Sequence, residues 1–459
     1  MRAAPHAFAR PAVKCDASGM TLATPDAVEA APDQARDLLQ RLHDARRRTD
    51  ALFAEVGAAR MHERPIAERH RFLFYLGHLE AFDWNLLGEA CGAPRKPHPW
   101  DRLFAFGIDP TANDLPTDRP DDWPSLAEVG DYAGDLRTLL DRCLPGALAR
   151  GDGYLRERVG MSVEHRLMHA ETLAYLLDRS AIRRPIVPQG QPRAAPAAKW
   201  VQVPAGRTVL GTAPDGALFT WDNEHDALEL AVPAFAMARC MTSNGEYLQF
   251  VEAGGYADPA WWSAEGWQWR ERDAVTHPAY WQHAEGRWHW RTARALVPLP
   301  LDWPVYVSHA EAAAYARWRG AALPSEAQWQ RAAWGTPNER DRAWPWGDAP
   351  LSARHANAGF RSRDPEPVDA HDAGDSAFGI RGLVGNGWEW TSSVFAPLPG
   401  FRASPAYPGY SADFFDGRHF VLKGGGPQTA TCLLRRSFRN WFQPHYPHAH
   451  AGIRLVAAA

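Results

Sequence analysis

Cysteine is scarce: there are five in 459 residues, and none of Cys15, Cys91, Cys143, Cys240 and Cys432 stands at C-x-x-C spacing. That argues against a disulfide framework and a zinc–thiolate site, and it suits a reducing, cytoplasmic location. No stretch approaches the roughly 18 consecutive apolar residues of a membrane-spanning helix, so no membrane partner is expected. An excess of positive charge is missing too. The formal net charge is −4 with 23% charged residues, which leaves no electrostatic case for nucleic acid. Met1 to Met20 lack the continuous apolar core of a secretory signal, and residues 1–30 read as a disordered leader.

What is abundant is tryptophan, 21 residues in all, most of them after Trp200. The two halves of the chain therefore differ in kind, and the length exceeds one ordinary core. The expected division is a helical domain over 31–182, a Pro-rich linker over 183–199 and a Trp- and Gly-rich domain over 200–459. The fold class is α+β. In the first half, Leu38, Leu39, Leu42, Ala45, Leu52 and Phe53 recur at helical spacing from Asp33 onward. A second helix is expected from about Ile66 to Glu89. A long connection rich in Pro, Asp and Gly follows, and such lengths are often functional. Ser125-Leu126-Ala127-Glu128 resembles a capping box and opens a third helix. Together with a fourth, these make an up-down bundle, whose interior is a usual place for metal ligands.

The fourth helix carries His165-Arg166-Leu167-Met168-His169-Ala170-Glu171. Histidines four apart lie on one helical face, so both imidazoles can reach one metal ion. Glu171 could accept a hydrogen bond that orients an imidazole. On the second helix His78 lies within an apolar stripe, where it reads either as a satisfied core residue or as a third ligand. His70, among charged neighbours, reads as solvated. Three histidine nitrogens with open positions suit Fe(II), Zn(II) or Cu(II), and spacing does not choose among them.

In the second half, short apolar runs are broken by Gly, Pro and Trp, and one clear helix is expected, from Ser308 to Arg319. Val203-Pro204-Ala205-Gly206, Asn223-Glu224, Thr242-Ser243-Asn244-Gly245-Glu246-Tyr247, Leu323 to Trp329, Gly385-Asn386-Gly387-Trp388-Glu389-Trp390-Thr391 and Gly452-Ile453-Arg454 follow in order. This series resembles the formylglycine-generating-enzyme (sulfatase-modifying-factor) fold, an irregular C-type-lectin-like domain. Formylglycine generation would need a cysteine pair after Lys423-Gly424-Gly425-Gly426. Only Cys432 lies there, so that activity is disfavoured.

Another branch of that family joins the fold to a DinB-like bundle. The resemblance to these ergothioneine-type sulfoxide synthases runs from about residue 35 to 456. It implies Fe(II) held by His78, His165 and His169, with Glu171 behind them and O2 as co-substrate. The implied substrate is hercynine (trimethylated histidine), joined to a thiol such as cysteine or gamma-glutamylcysteine. Ser437-Phe438-Arg439-Asn440-Trp441 resembles the branch's substrate motif, as do Gly254-Gly255-Tyr256, Trp261 and Gly266-Trp267. The implied substrate contacts are Asn440 and Trp441, with Tyr407 and Tyr410 as candidate proton donors. Arg119, in the long loop, reads as a donor contact or as a solvated surface residue.

Two positions depart from the branch. Phe442 stands where gamma-glutamylcysteine users have an acidic residue, and Met168 where a Gln touches the imidazole of hercynine. A selenosugar has no amino-acid carboxylate or ammonium, so the departures point to the related selenoneine synthase branch, which joins hercynine to a selenosugar. Asn386 to Trp390 and most of the tryptophans read as structural. Two other readings keep the fold and change the role: a non-catalytic binding module, and a zinc-dependent transferase that needs no O2.

Overall fold

The computed structural model describes residues 25–92, 95–105, 115–188, 192–213, 219–339 and 342–458. The described residues of the first half form four α-helices: α1 (Pro25–Val56), α2 (Phe72–Leu87), α3 (Leu126–Ala149) and α4 (Gly153–Arg179). α1 begins inside the segment expected to be leader, and residues 1–24 lie outside the described residues. Ser125 caps α3 as expected, its hydroxyl accepting from the Glu128 N–H while the Glu128 carboxylate accepts from the Ser125 N–H. α2 is shorter than the expected Ile66–Glu89. Residues 63–71 turn instead, because Arg64 and Arg71 reach out to Asp118 in the long connection.

The apolar faces pack around Leu42, Leu73, Leu136, Leu140, Leu173 and Leu176, all fully buried. Inside this core Arg166 is 1% exposed, with its guanidinium 2.6 Å from Asp83 Oδ2 and 3.0 Å from Glu80 Oε1. Charges so placed need partners on every side. They hold α2 and α4 together, the two helices that carry the histidines.

The second half is built of short elements. Strands β1 (Trp200–Val203), β2 (Gly206–Leu210), β3 (Leu228–Val232) and β4 (Phe235–Ala238) precede helices α5 (Asn244–Glu252) and α6 (Ala264–Arg272). Then come β5 (Trp281–Ala284), β6 (Arg287–Arg291), β7 (Leu296–Pro298), α7 (His309–Trp318) and α8 (Glu326–Trp334). The chain closes with β8 (Trp388–Val394), β9 (Phe420–Lys423), β10 (Asn440–Phe442), β11 (Ala451–Gly452) and β12 (Val456–Ala458). Among the described residues they form four small sheets, of orders β1-β4-β12, β10-β9-β8-β11, β2-β3 and β5-β6-β7. Among the described residues, four α-helices stand where one was clear in the sequence. α5, α6 and α8 span nine residues each, too short for a visible period, and rest on serine caps at Ser243, Ser263 and Ser325.

The expected linker is bound into the fold. Arg184 donates to the carbonyls of Leu177, Asp178 and Ser180, closing the C-terminus of α4, and Ile186 bridges to Leu296 of β7. The two halves share a long interface along α4. Asp178 meets His450 at 2.9 Å, and Arg363 bridges Asp178 and Glu55. Among the described residues, no helix is long and apolar enough to cross a membrane.

Candidate metal centre

His78 of α2 and His165 and His169 of α4 converge in the interior, each buried. One nitrogen from each lies within 4.8 Å of the others, and among the described residues this is the one cluster of three or more His, Cys, Asp or Glu able to hold an ion. Successive turns of α4 bring the Nε2 atoms of His165 and His169 to 3.1 Å. Two nitrogens each ~2.1 Å from one ion at a right angle would be ~3 Å apart. The Phe104 carbonyl can only accept, so its 2.7 Å bond to His78 Nδ1 places the proton there and leaves Nε2 as a bare lone pair. That Nε2 is buried and has no hydrogen-bond partner among the described residues.

Burial pushes the His78 pKa down to about 4 and holds His165 and His169 well below the usual imidazole value. All three are therefore neutral at pH 7, the form that ligates. The donor set fits a divalent transition metal.

The loop after α2 serves the centre through its backbone. Phe104, fully buried, packs on Gly77, where a Cβ would stand 2.5 Å from the Phe104 ring. Gly77→Ala is therefore expected to displace Phe104, release His78 Nδ1 and weaken metal binding by roughly 10–100-fold, the usual cost of losing such a partner. Metal titration of the variant checks this, and wild-type affinity would show that the Phe104 carbonyl is dispensable.

Aromatic rings wall the cluster. Phe82 stacks on His165 at 3.5 Å, Phe74 on His78 at 4.9 Å, and Tyr75 lies 5.5 Å from His169. Tyr407, half-buried, meets Phe82 edge-on at 5.4 Å and His165 at 6.3 Å. Tyr410 is buried, 5.7 Å from Tyr407, and its hydroxyl points to Met168 Sδ at 3.5 Å. Burial raises the Tyr410 pKa well above the ordinary phenol, so its proton stays on. Trp441 stacks on Phe395 at 4.2 Å and meets Tyr410 edge-on at 5.3 Å. Asn440 turns its side-chain oxygen to the N–H of Trp441. Phe442 lies on Tyr446 at 4.9 Å.

Two sequence expectations, on Glu171 and on Tyr256, change here, and Arg119 takes its surface reading. Glu171 does not orient an imidazole: its two oxygens accept from Trp388 Nε1 at 2.6 Å and Thr429 Oγ1 at 2.9 Å, tying α4 to the second domain. The Nδ1 atoms of His165 and His169, where such an acceptor would sit, have no partner among the described residues. Arg119 is exposed at the start of a turn capped by Asp122, and 106–114 of the same loop lie outside the described residues. Tyr256 of the Gly-Gly-Tyr motif bonds Glu311 at 2.6 Å, deep in the second domain.

The structure also brings forward residues that the sequence had not singled out. Glu164, next to His165, accepts from Trp221 Nε1 at 2.8 Å and from Arg435 at 2.7 Å, and burial lifts its pKa to about 7 against the pull of Arg435. Arg69 is buried, donates to the Tyr446 hydroxyl at 2.9 Å and lies over the rings of Tyr446 and Phe442. In the sequence Arg69 is one charge among several in Glu68-Arg69-His70-Arg71, and the turn before α2 carries it inside.

Fold and site together define a class: a helical bundle with a buried three-histidine centre, closed by an irregular sheet domain. Residues 41–173 match the DinB superfamily and residues 186–459 the Sulfatase-modifying factor enzyme 1-like domain. The second match begins inside the expected linker, in keeping with the Ile186 bridge. The chain is 34% identical over 449 residues to a protein named hercynine oxygenase from Mycolicibacterium thermoresistibile, covering 93% of this chain and 96% of that one. It is 42% identical over 237 residues to the hercynine oxygenase of Mycobacterium tuberculosis, covering 51% and 55% of the two chains. With ergothioneine biosynthesis protein 1 of Neurospora crassa it shares 28% over 486 residues, 86% of this chain and 54% of that one. The chain belongs to the hercynine oxygenase family, a family of oxygenase-type enzymes.

Proposed function

We propose that the protein is a nonheme Fe(II), O2-dependent enzyme that joins imidazole C2 of hercynine to the selenium of a selenosugar. The observation that carries the choice of donor is Phe442. It follows Asn440-Trp441, where the gamma-glutamylcysteine-using enzymes that the sequence resembles have an acid, and its ring lies on Tyr446 beneath the Arg69 guanidinium. An apolar face there suits a donor without ammonium or carboxylate. Met168, beside the Tyr410 hydroxyl, is the second polar-to-apolar change.

In the reaction, the C2–H and Se–H bonds break, the C–Se bond forms, and O2 takes up the electrons and protons. His78, His165 and His169 would hold the iron, which supplies the redox chemistry with O2. The chain's part is binding, orientation and exclusion of water. Hercynine carries a quaternary ammonium that no proton loss can neutralise, and an aromatic face stabilises such a cation by about 0.5–2 kcal/mol. Trp441, edge-on to Tyr410, is the candidate for that wall, with Asn440 as its polar neighbour. Tyr407 and Tyr410 are the candidate proton donors. The Tyr410 hydroxyl is offered to a thioether, a weak acceptor that a substrate atom can displace.

A second reading, an ergothioneine-type sulfoxide synthase taking cysteine or gamma-glutamylcysteine, is favoured by the similarity to proteins named for ergothioneine biosynthesis. Both readings require iron and O2. Protein reconstituted with Fe(II) is expected to consume O2 only when hercynine and a donor are both present, and zinc-loaded protein to consume none. O2 uptake indifferent to hercynine would overturn both.

A further inference from the structure

The turn Trp221-Asp222-Asn223-Glu224 touches the two elements that matter most to the proposed site and lies in neither. Toward the segment 404–411, which bears Tyr407 and Tyr410, the Asp222 carboxylate accepts from the Ser404 N–H at one end and the Ser411 hydroxyl at the other. Asn223 donates to Ser411 Oγ at 2.9 Å, and the Trp221 ring stacks on Tyr410 at 3.7 Å. Toward α4, Trp221 Nε1 donates to Glu164 at 2.8 Å, one residue before His165. Glu224 accepts from Arg435 Nε at 2.8 Å, and the same guanidinium donates to Glu164 at 2.7 and 3.0 Å.

Glu164, Asp222 and Glu224 are all at most 6% exposed, with one arginine bonded to Glu164 and Glu224. Burying three acids is a poor route to stability, because desolvation offsets the Coulomb gain. Fixing one register against others is the better-attested use of such groups.

We propose that the Trp221–Glu224 turn is a positioning element that sets the register of the tyrosine segment against the histidines of α4. The inference rests on the proposed function for its catalytic meaning, but not for its geometry. Its test uses the full chain carrying Asp222→Ala or, more gently, Asp222→Asn, and Trp221→Phe, which keeps a ring on Tyr410 but loses the indole N–H.

Hydrogen–deuterium exchange without substrate is expected to quicken by about tenfold across 404–411 in Asp222→Ala, with α4 unchanged. Iron content and the KM for hercynine stay at wild type, while kcat falls by about 10–100-fold, as small misplacements of reacting groups do. Asp222→Asn and Trp221→Phe shift the same readouts less. Unchanged exchange in 404–411 would overturn the proposal. So would wild-type kcat despite faster exchange, or exchange quickened evenly along the chain, which marks a merely structural role. Should wild-type protein not turn over hercynine, the functional reading fails while the exchange arm still decides the register.

Discussion

Replacing His169 with asparagine is expected to remove iron binding and hercynine-dependent O2 uptake together, while the protein stays folded. Three histidines converge there, and among the described residues no fourth His, Cys, Asp or Glu joins the cluster, so two nitrogens would remain. Loss of a group that merely supports a ligand already costs about 10–100-fold, and loss of the ligand itself should exceed that. The fold should tolerate the change. The one bond of His169 to a described residue is to His165, and the surrounding helices are held by separate contacts such as Arg166 with Glu80 and Asp83. Metal analysis beside circular dichroism checks both halves. Full iron stoichiometry in the variant would contradict the ligand assignment.

The largest expected loss of stability lies in the second domain. Arg454 and Glu389 are both fully buried, 2.6 Å apart, and Arg454 also donates to the carbonyls of Ala238, Arg239 and Arg381. Glu389 accepts from Trp329 Nε1 at 2.7 Å as well. Methionine at 454 would leave a buried carboxylate without its cation and several carbonyls without a donor. Breaking a buried pair in this way costs about 3–5 kcal/mol. Chemical denaturation should show a loss of that size, with iron content normal below the transition. A loss under about 1 kcal/mol would mean that the pair is not buried as described.

These two predictions also mark what the sequence made legible. His165 and His169 were readable because spacing on a helix fixes which side chains share a face. The Glu389 and Arg454 motifs stood out as signatures, and their mutual contact explains why both residue types are needed. Glu171 was misread because its direction depends on a partner domain that helical spacing does not describe. The role of Phe104 was invisible for a different reason: a backbone carbonyl has no residue signature, and its position is set by Gly77 leaving room for a ring. α5, α6 and α8 were missed because nine residues held by a serine cap show little period. The Trp221 turn had only Asn223-Glu224 as a marker, and its contacts to 404–411 and Arg435 span most of the second domain's length.

Joining hercynine to a selenosugar is the activity proposed for this site. The direct test is a donor competition with purified, Fe(II)-loaded protein, hercynine and O2. A 1-selenosugar, the matching thiosugar, cysteine and gamma-glutamylcysteine are supplied in parallel, and products are read by mass spectrometry. The expected result is a hercynine–selenosugar adduct, with both amino-acid thiols inert. A sulfoxide formed from cysteine or gamma-glutamylcysteine, with the selenosugar unused, would contradict it and return Phe442 to a role in packing.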